Sequence, residues 1–165
     1  GIVPIVEPEV LMETDHSIDA CYDATARTLQ ALYAELAVQR VDLEGTLLKP
    51  NMVLPGKGNA DQASPARIGA ATLHCFRRLV LDRRSVRDEE VEATVNLDAI
   101  NCLDGRVWPL SFSYGRALQA SALQAWRGLE ENVPAAQAVF LHRARCNAAA
   151  AGGRYDAALE AQGPE

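Results

Sequence analysis

Long apolar runs and an excess of positive charge are both missing from this sequence. No apolar stretch approaches the ~18 residues that a membrane-spanning helix needs, and no signal peptide opens the chain. The 16 Lys and Arg residues are outnumbered by 22 Asp and Glu residues, which gives a net charge of -6. This balance argues against binding to nucleic acid or to an anionic membrane surface. We therefore expect a soluble, intracellular protein with neither kind of partner.

Cysteine pairs with metal-binding or redox spacing are missing as well. In our interpretation the four cysteines are far apart, form no CxxC pair and have no histidine at ligand spacing; they are Cys21, Cys75, Cys102 and Cys146. Our interpretation is four free thiols, buried as small apolar side chains in a protein of a reducing compartment. The sequence thus predicts no metal site.

The remaining composition is that of one globular domain. The chain has 165 residues, of which 48% are apolar and 23% charged, so it can bury a core as a single domain over residues 1–165. It begins with Gly1 instead of Met and enters a strand-like apolar run at once. Natural amino termini are seldom so core-like. We therefore expect a piece excised from a longer protein.

Strand-like and helix-like segments alternate along the chain. Short apolar runs predict strands at residues 2–6, 41–48 and 107–114. Helical spacing and capping signals predict helices at about 18–36, 64–80, 88–100, 115–128 and 134–151. Residues 49–65 have the pattern of a long polar loop. The alternation predicts the α/β class, with parallel strands and crossover helices on the outside.

Polar groups follow each predicted strand. Glu7 and Glu9 come after the first strand, Lys49 after the second, and the run from Ser113 to Arg116 after the third. The carboxyl ends of parallel strands meet at one mouth. A lysine at the rim of an apolar barrel loses hydration, which lowers its pKa and frees a neutral amine to attack a carbonyl carbon. A nearby carboxylate such as Glu7 can move the protons that imine formation requires. From spacing alone, Lys49 can equally be a solvated residue after a strand.

The start of the fourth predicted helix suits an anion. Backbone amides and the helix dipole favour negative charge there, Gly115 lets a phosphate approach closely, and Arg116 offers a bidentate partner. The alternative is that Arg116 only caps the turn.

Four segments resemble, in chain order, segments of class I fructose-bisphosphate aldolase: "GIVPIVEPE", "LEGTLLKPNMV", "NLDAIN" and "FSYGRALQASALQAW". The resemblance runs from Gly1 to about Tyr155 and implies a partial TIM (β/α)₈ barrel, about its last three or four β/α units. It also implies reversible cleavage of fructose 1,6-bisphosphate to dihydroxyacetone phosphate and glyceraldehyde 3-phosphate. In this family the reaction runs through a lysine Schiff base, without metal or cofactor.

The resemblance implies roles for individual positions. Lys49 matches the Schiff-base lysine, Glu7 matches the acid/base glutamate, and Glu9 matches a second carboxylate close to the active site. The positions that match the turn holding a substrate phosphate are Ser113, Gly115 and Arg116.

One interval departs from the family pattern. The family has a strand that ends in a serine and paired glycines, whereas this chain has the shorter "LDRRSVRDEE", with Ser85 followed by Val86 and Arg87. We therefore expect an internal deletion that removes or badly alters this strand, leaves three strands and retains only Ser85 as a phosphate-binding candidate. Nearby arginines either replace the lost glycine amides or form a solvated basic turn balanced by the acidic residues after it. They are Arg77, Arg78, Arg83, Arg84 and Arg87.

The family's first four barrel strands, a further catalytic lysine and aspartate, and its carboxyl-terminal tail also find no match. We therefore expect the chain to be inactive alone. Two functions stay open: an aldolase fragment whose parent family forms homo-oligomers, and a non-catalytic interaction subunit whose open barrel edge is covered by a partner chain. We expect a cytoplasmic location, with a plastid or other organelle as the alternative.

Overall fold

The computed structural model describes residues 1–79, 84–86, 90–104 and 110–164, with the backbone alone described at 84–86, 90–91 and 116–117. The strands in these ranges are β1 (Ile5–Val6), β2 (Leu47–Leu48), β3 (Arg84–Val86) and β4 (Leu110–Phe112). The helices are α1 (Ile18–Val38), α2 (Pro65–Leu79), α3 (Glu90–Asn101), α4 (Arg116–Trp126), α5 (Val133–Ala151) and α6 (Ala157–Ala161). No helix within the described ranges is long and apolar enough to cross a membrane.

The four described strands form one parallel sheet in chain order, β1-β2-β3-β4. Val6 pairs with Leu48, and Leu48 also pairs with Arg84, which in turn pairs with Leu110. A helix separates each strand from the next, so all four carboxyl ends point the same way. The predicted α/β class with parallel strands is therefore confirmed.

Strand β3 corrects the expectation that only three strands remain. Its Ser85 pairs with Ser111 and its Val86 pairs with Phe112. The sequence Arg-Ser-Val has neither an apolar run nor an alternating pattern, so the local signal for a strand is absent. Hydrogen-bonding partners on both sides, from β2 and β4, decide the conformation instead. The flanking residues 80–83 and 87–89 lie outside the described residues.

The first two strands are shorter than predicted. Residues 41–48 contain a 3₁₀ turn at Leu43–Gly45, which is capped by the Asp42 carboxylate accepting from the Glu44 amide at 3.2 Å. At the amino end, Ile2 is 97% exposed and Ile5 is 54% exposed. The expectation of a first strand covered on both faces is therefore wrong for the described residues, because more than half of Ile5 is exposed.

Helices α1 and α2 begin where the sequence predicts. The Ser17 hydroxyl accepts a hydrogen bond from the Ala20 amide at 3.1 Å, and the Ser64 hydroxyl accepts one from the Arg67 amide at 3.3 Å. Each hydroxyl satisfies an amide that the first helical turn leaves unpaired. Pro65 occupies the first position of α2, where its missing N–H costs nothing.

The core includes side chains from α1, α2, α3 and the segment after β2. Its largest fully buried apolar side chains are Phe76, Leu29, Met52, Leu97, Ile100 and Val53. Met52 and Val53 belong to the segment predicted as a polar loop, and residues 50–53 are buried together. Burying each such side chain contributes roughly 1.5–3 kcal/mol. The segment after Lys49 is therefore anchored in the core. This corrects the prediction that residues 49–65 form a long polar loop.

Three of the four cysteines are buried as predicted, but Cys102 is exposed. It comes directly after α3, with its Sγ atom 3.6 Å from both Asp98 Oδ2 and Gly153 O. Burial raises the pKa of the Cys75 thiol to about 12 and that of the Cys146 thiol to about 11. Because the thiolate is the nucleophile, both thiols are protected by remaining protonated as well as by being buried.

We expect a chromogenic disulfide reagent at about pH 8 to modify one thiol, Cys102, rapidly in the folded chain. Raising the pKa of Cys75 from 9.0 to about 12 lowers its thiolate fraction at this pH roughly a thousandfold. Absorbance of the released thiol measures the number of reactive groups, and denaturant should reveal the other cysteines. The control variant Cys102→Ser should have no fast thiol when folded. A fast thiol in that variant would contradict the burial of the remaining three.

Candidate active site

Lys49 and Glu7 meet at the carboxyl ends of neighbouring strands. Lys49 Nζ donates a hydrogen bond to Glu7 Oε1 at 2.6 Å. Only 14% of the Lys49 side chain is exposed, against 42% for Glu7. The amine is thus held close to a carboxylate that solvent and small molecules can reach. Glu7 Oε1 is the atom positioned to take a proton from this nitrogen.

Backbone hydrogen bonding between β1 and β2 sets this pairing. The Leu47 amide donates to Pro4 O at 2.9 Å, and the Lys49 amide donates to Val6 O at 2.8 Å. Both catalytic candidates come directly after the last paired residues of their strands. Because Leu48 also pairs with Arg84, the backbone of Ser85 in β3 continues the same row, although its side chain is outside the described part of the chain.

Asn51 connects the segments that come after β1 and β2. Its Oδ1 atom accepts from the Val10 amide at 2.9 Å, and its Nδ2 atom donates to Met52 O at 2.8 Å and to Thr25 Oγ1 at 3.3 Å. The side chain is only 7% exposed. Asn51 therefore fixes the chain after Glu9 against the chain after Lys49.

Further along, the same two segments are joined by backbone hydrogen bonds. The Lys57 amide donates to Met12 O at 2.8 Å, and the Gly58 amide donates to Thr14 O at 2.9 Å. A Cβ atom at Gly56 would lie 2.2 Å from Thr14 O, so only glycine allows this approach. The segments carrying the lysine and the glutamates consequently form one unit.

The end of β4 leads into α4 through a turn that is open at Gly115. A Cβ atom at Gly115 would meet nothing within 4 Å, and no side chain caps the helix that begins there. Tyr114 is buried, and its hydroxyl donates to Ala93 O at 3.0 Å, which fixes the turn against α3. Ser113 is half-buried beside it. The first amides of α4 thus lack a side-chain acceptor within the described part of the turn.

The other predicted site residues are described to different extents. Glu9 is exposed two residues beyond Glu7. The side chains of Ser85, Arg84 and Arg116 are not described, and Arg83 and Arg87 lie outside the described residues. Arg77 and Arg78 are exposed in the last turn of α2, which precedes β3 and therefore lies toward the amino ends of the strands. The hypothesis that these two arginines replace the glycine amides is therefore wrong.

A second polar cluster, which the sequence analysis missed, lies near the end of the chain. His142 and Cys146 are one helical turn apart on α5, with His142 Nε2 3.7 Å from Cys146 Sγ. The Glu160 carboxylate of α6 completes a group whose three ligand atoms lie within 4.8 Å of one another. The His-x₃-Cys spacing is visible in the sequence, so the statement that no histidine lies at ligand spacing from a cysteine was wrong. Only the fold brings Glu160 to them.

Hydrogen bonds hold Glu160 in its ionised form. Arg143 Nη1 donates to Glu160 Oε1, and the Tyr155 hydroxyl donates to Glu160 Oε2 at 3.0 Å. Burial favours the neutral acid, but these bonds and the charge of Arg143 together outweigh burial and lower the pKa of the carboxyl. Burial, followed by the bond to Glu160, raises the pKa of Tyr155 to about 12. Arg143 Nη2 also donates to Thr94 Oγ1 at 2.7 Å. The hydrogen bonds of Arg143 and Glu160 therefore join α3, α5 and α6.

Parallel strands with a paired lysine and glutamate at their carboxyl ends define an α/β protein with a candidate amine site at the strand ends. The family model "Glycolytic: Fructose-bisphosphate aldolase class-I" matches residues 1–164. The chain therefore belongs to the class-I fructose-bisphosphate aldolase family.

Individual relatives agree with this membership. The chain is 50% identical to mouse fructose-bisphosphate aldolase C over 94% of its own length and 45% of that protein. It is 49% identical to the Arabidopsis thaliana protein named fructose-bisphosphate aldolase 4, cytosolic, over 94% of its length and 41% of that protein. A Plasmodium falciparum fructose-bisphosphate aldolase, solved with TRAP and a small-molecule inhibitor, superimposes with a TM-score of 0.90 at 42% identity, covering 94% of this chain and 46% of that one. The chain thus spans less than half the length of these relatives.

We expect Asn51→Ala to lower the free energy of unfolding by roughly 1–3 kcal/mol, because it leaves the part-buried Val10 amide without its acceptor. Chemical denaturation measures the loss. The matched control is Asn59→Ala, which removes two exposed hydrogen bonds, one to Asp15 O at 2.7 Å and one from the Asp61 amide at 2.8 Å, and should cost less. Equal losses in the two variants would argue against Asn51 as the main connection between the segments.

Proposed function

We propose that this chain carries the Schiff-base site of a class-I fructose-bisphosphate aldolase. The observation that supports the proposal is the 2.6 Å contact between Lys49 Nζ and Glu7 Oε1 at adjacent strand ends, in a chain of the aldolase family. Lys49 is the nucleophile and Glu7 is the acid/base group. Glu9 is a second carboxylate at the rim. The substrate is a ketose phosphate, and no cofactor takes part because the lysine itself forms the covalent intermediate.

The chemistry derives from the arrangement of the pair. Glu7 accepts a proton from the lysine, and the free amine attacks the ketone carbon of fructose 1,6-bisphosphate or dihydroxyacetone phosphate. The carbinolamine loses water with a proton returned by Glu7, which leaves an iminium ion. The iminium draws electrons from the adjacent carbon–carbon bond, so it stabilises the carbanion that cleavage produces. The low exposure of Lys49 limits competing water.

A substrate phosphate would be held by the turn after β4. Neither a positive φ nor packing against the described residues explains glycine at position 115, since its φ is -91° and a Cβ would meet none of their atoms within 4 Å. A remaining physical reason for glycine here is that it lets a ligand approach the first backbone amides of α4. Ser113 and Arg116 belong to the same turn, and Ser85 shares the strand-end row with Lys49. We assign all four to phosphate binding.

The architecture we propose is part of a (β/α)₈ barrel comprising about four β/α units. Parallel strands in chain order, each followed by a helix, are the repeating unit of such barrels. The parent assembly would be a homo-oligomer, as expected from the family. We also propose a cytoplasmic location, because one relative is named as cytosolic; a plastid or other organelle is the alternative.

Incubation with dihydroxyacetone phosphate followed by borohydride should attach one reduced triose phosphate to Lys49. The sequence contains only two lysines, Lys49 and Lys57, so peptide mass mapping assigns the label and also separates it from the Gly1 amine. Lys49→Met should abolish the label. Glu7→Gln should slow labelling by roughly 100-fold or more, because proton transfer is lost.

The matched control is Lys57→Met. Lys57 Nζ lies 3.3 Å from Glu13 Oε1. Like Lys49, it is a lysine paired with a glutamate, but its side chain is exposed. Labelling should be unchanged in this variant. Labelling that is spread over both lysines, or that does not depend on dihydroxyacetone phosphate, would contradict the proposal.

The 165 residues alone should show little or no cleavage of fructose 1,6-bisphosphate, because they span less than half of the relatives' length. A coupled assay of released glyceraldehyde 3-phosphate measures turnover, with a full-length relative in parallel as the positive control. Steady turnover that Lys49→Met abolishes would mean that these residues suffice for carbon–carbon bond cleavage.

The second candidate function is a non-catalytic interaction subunit. The observation that favours it is the exposed apolar surface at the start of the sheet, where Ile2, Val3 and Ile5 are each more than half exposed. Absence of labelling at Lys49, together with purification in a complex with another chain, would favour this function over the aldolase site.

A further inference from the structure

Three side chains with metal-binding atoms converge between α5 and α6. His142 and Cys146 are buried on consecutive turns of α5, and Glu160 approaches from α6 with its side chain 27% exposed. Their ligand atoms all lie within 4.8 Å of one another. Buried groups of this composition differ from surface acidic clusters, because each donor has already lost most of its contact with water.

The distance between the two helical donors suits a tetrahedral ion. Bonds of about 2.3 Å to sulfur and about 2.0–2.1 Å to nitrogen, at a tetrahedral angle, separate the two donors by roughly 3.6 Å. The observed distance from His142 Nε2 to Cys146 Sγ is 3.7 Å. All three ligand atoms lie within 4.8 Å of one another, and Glu160, the third donor, is on the short helix α6 (Ala157–Ala161).

Neighbouring groups orient the carboxylate as supporting residues do around metal sites. Arg143 bonds one oxygen of Glu160, and the Tyr155 hydroxyl bonds the other at 3.0 Å. Arg143 is itself held by Thr94 at 2.7 Å. Each carboxylate oxygen has room for a second partner beside its hydrogen bond, so Glu160 can keep its bonds to Arg143 and Tyr155, while the Cys146 thiol exchanges its own hydrogen bond to the carboxylate for a bond to the ion.

The same network selects among cations. Arg143 already neutralises Glu160, so an ion that binds only oxygen, such as Ca²⁺ or Mg²⁺, gains little there. A cation that prefers sulfur and nitrogen also gains the Cys146 sulfur and the His142 nitrogen as donors.

We propose that His142, Cys146 and Glu160 form a binding site for a thiophilic divalent cation of the Zn²⁺ type. On binding, the Cys146 S–H bond breaks, a sulfur–metal bond forms, and the proton leaves to solvent. Water fills the fourth position. The ion ties α6 to α5, in a part of the chain separate from Lys49 on the strand ends.

Cd²⁺ titration of the reduced, chelator-treated chain tests the site directly. The expected result is one equivalent of a near-ultraviolet band from thiolate-to-Cd²⁺ charge transfer, which Zn²⁺ removes by competition. Cys146→Ser should abolish the band, and His142→Gln should weaken Cd²⁺ binding by at least about tenfold. Zn²⁺ should raise the melting temperature of the unaltered chain, raise that of His142→Gln by less, and leave that of Cys146→Ser unchanged.

The matched control is Cys102→Ser. Cys102 is exposed, with Asp98 Oδ2 at 3.6 Å, and it is the natural position for adventitious binding. The band should survive in this variant. Its loss there, its persistence in folded His142→Gln at unchanged affinity, or its absence from the unaltered chain would overturn the proposal. Borohydride labelling of Lys49 is unaffected in each case, so the two proposals fail independently.

Discussion

The hydrogen-bond register between the first two strands is the constraint on which the candidate site depends. Two backbone bonds, from Leu47 to Pro4 and from Lys49 to Val6, set which residues lie side by side. Successive side chains on a strand point to opposite faces, so a slip of one residue would turn Lys49 away from Glu7. The 2.6 Å contact between the amine and the carboxylate is therefore a consequence of main-chain pairing as much as of side-chain attraction.

Apolar burial protects this register. Directly after Lys49, the chain enters the core with Met52 and Val53, while Asn51 reaches across to the segment after Glu9. A strand of two residues supplies few hydrogen bonds of its own, so the buried segment after β2 must fix the position of that strand. The polar site thus lies at the outer end of a segment that is anchored by buried side chains, which keeps the lysine close to one carboxylate.

The elements that the sequence predicted correctly are ones whose signal was local. The capping residues Ser17 and Ser64 predicted the starts of α1 and α2. The positions of Lys49 and Glu7 after neighbouring strands predicted that they lie together. Features that need distant partners were missed. Strand β3 depends on its neighbours β2 and β4, and the burial of Met52 depends on helices packed over it. His142 and Cys146 were recognisable by spacing, but Glu160 joins them only because α6 folds back on α5.

The two proposed sites have different requirements, because their atoms come from different parts of the chain. Imine formation needs an amine, a proton acceptor and a ketone, and the described residues supply the first two within 2.6 Å. Cleavage also needs walls that orient both halves of the sugar, whereas β1 leaves apolar residues exposed at the start of the sheet. The cation site, by contrast, draws every protein donor from α5 and α6. Residues or a partner chain that cover the edge of β1 should therefore affect turnover but not the affinity of the cation site.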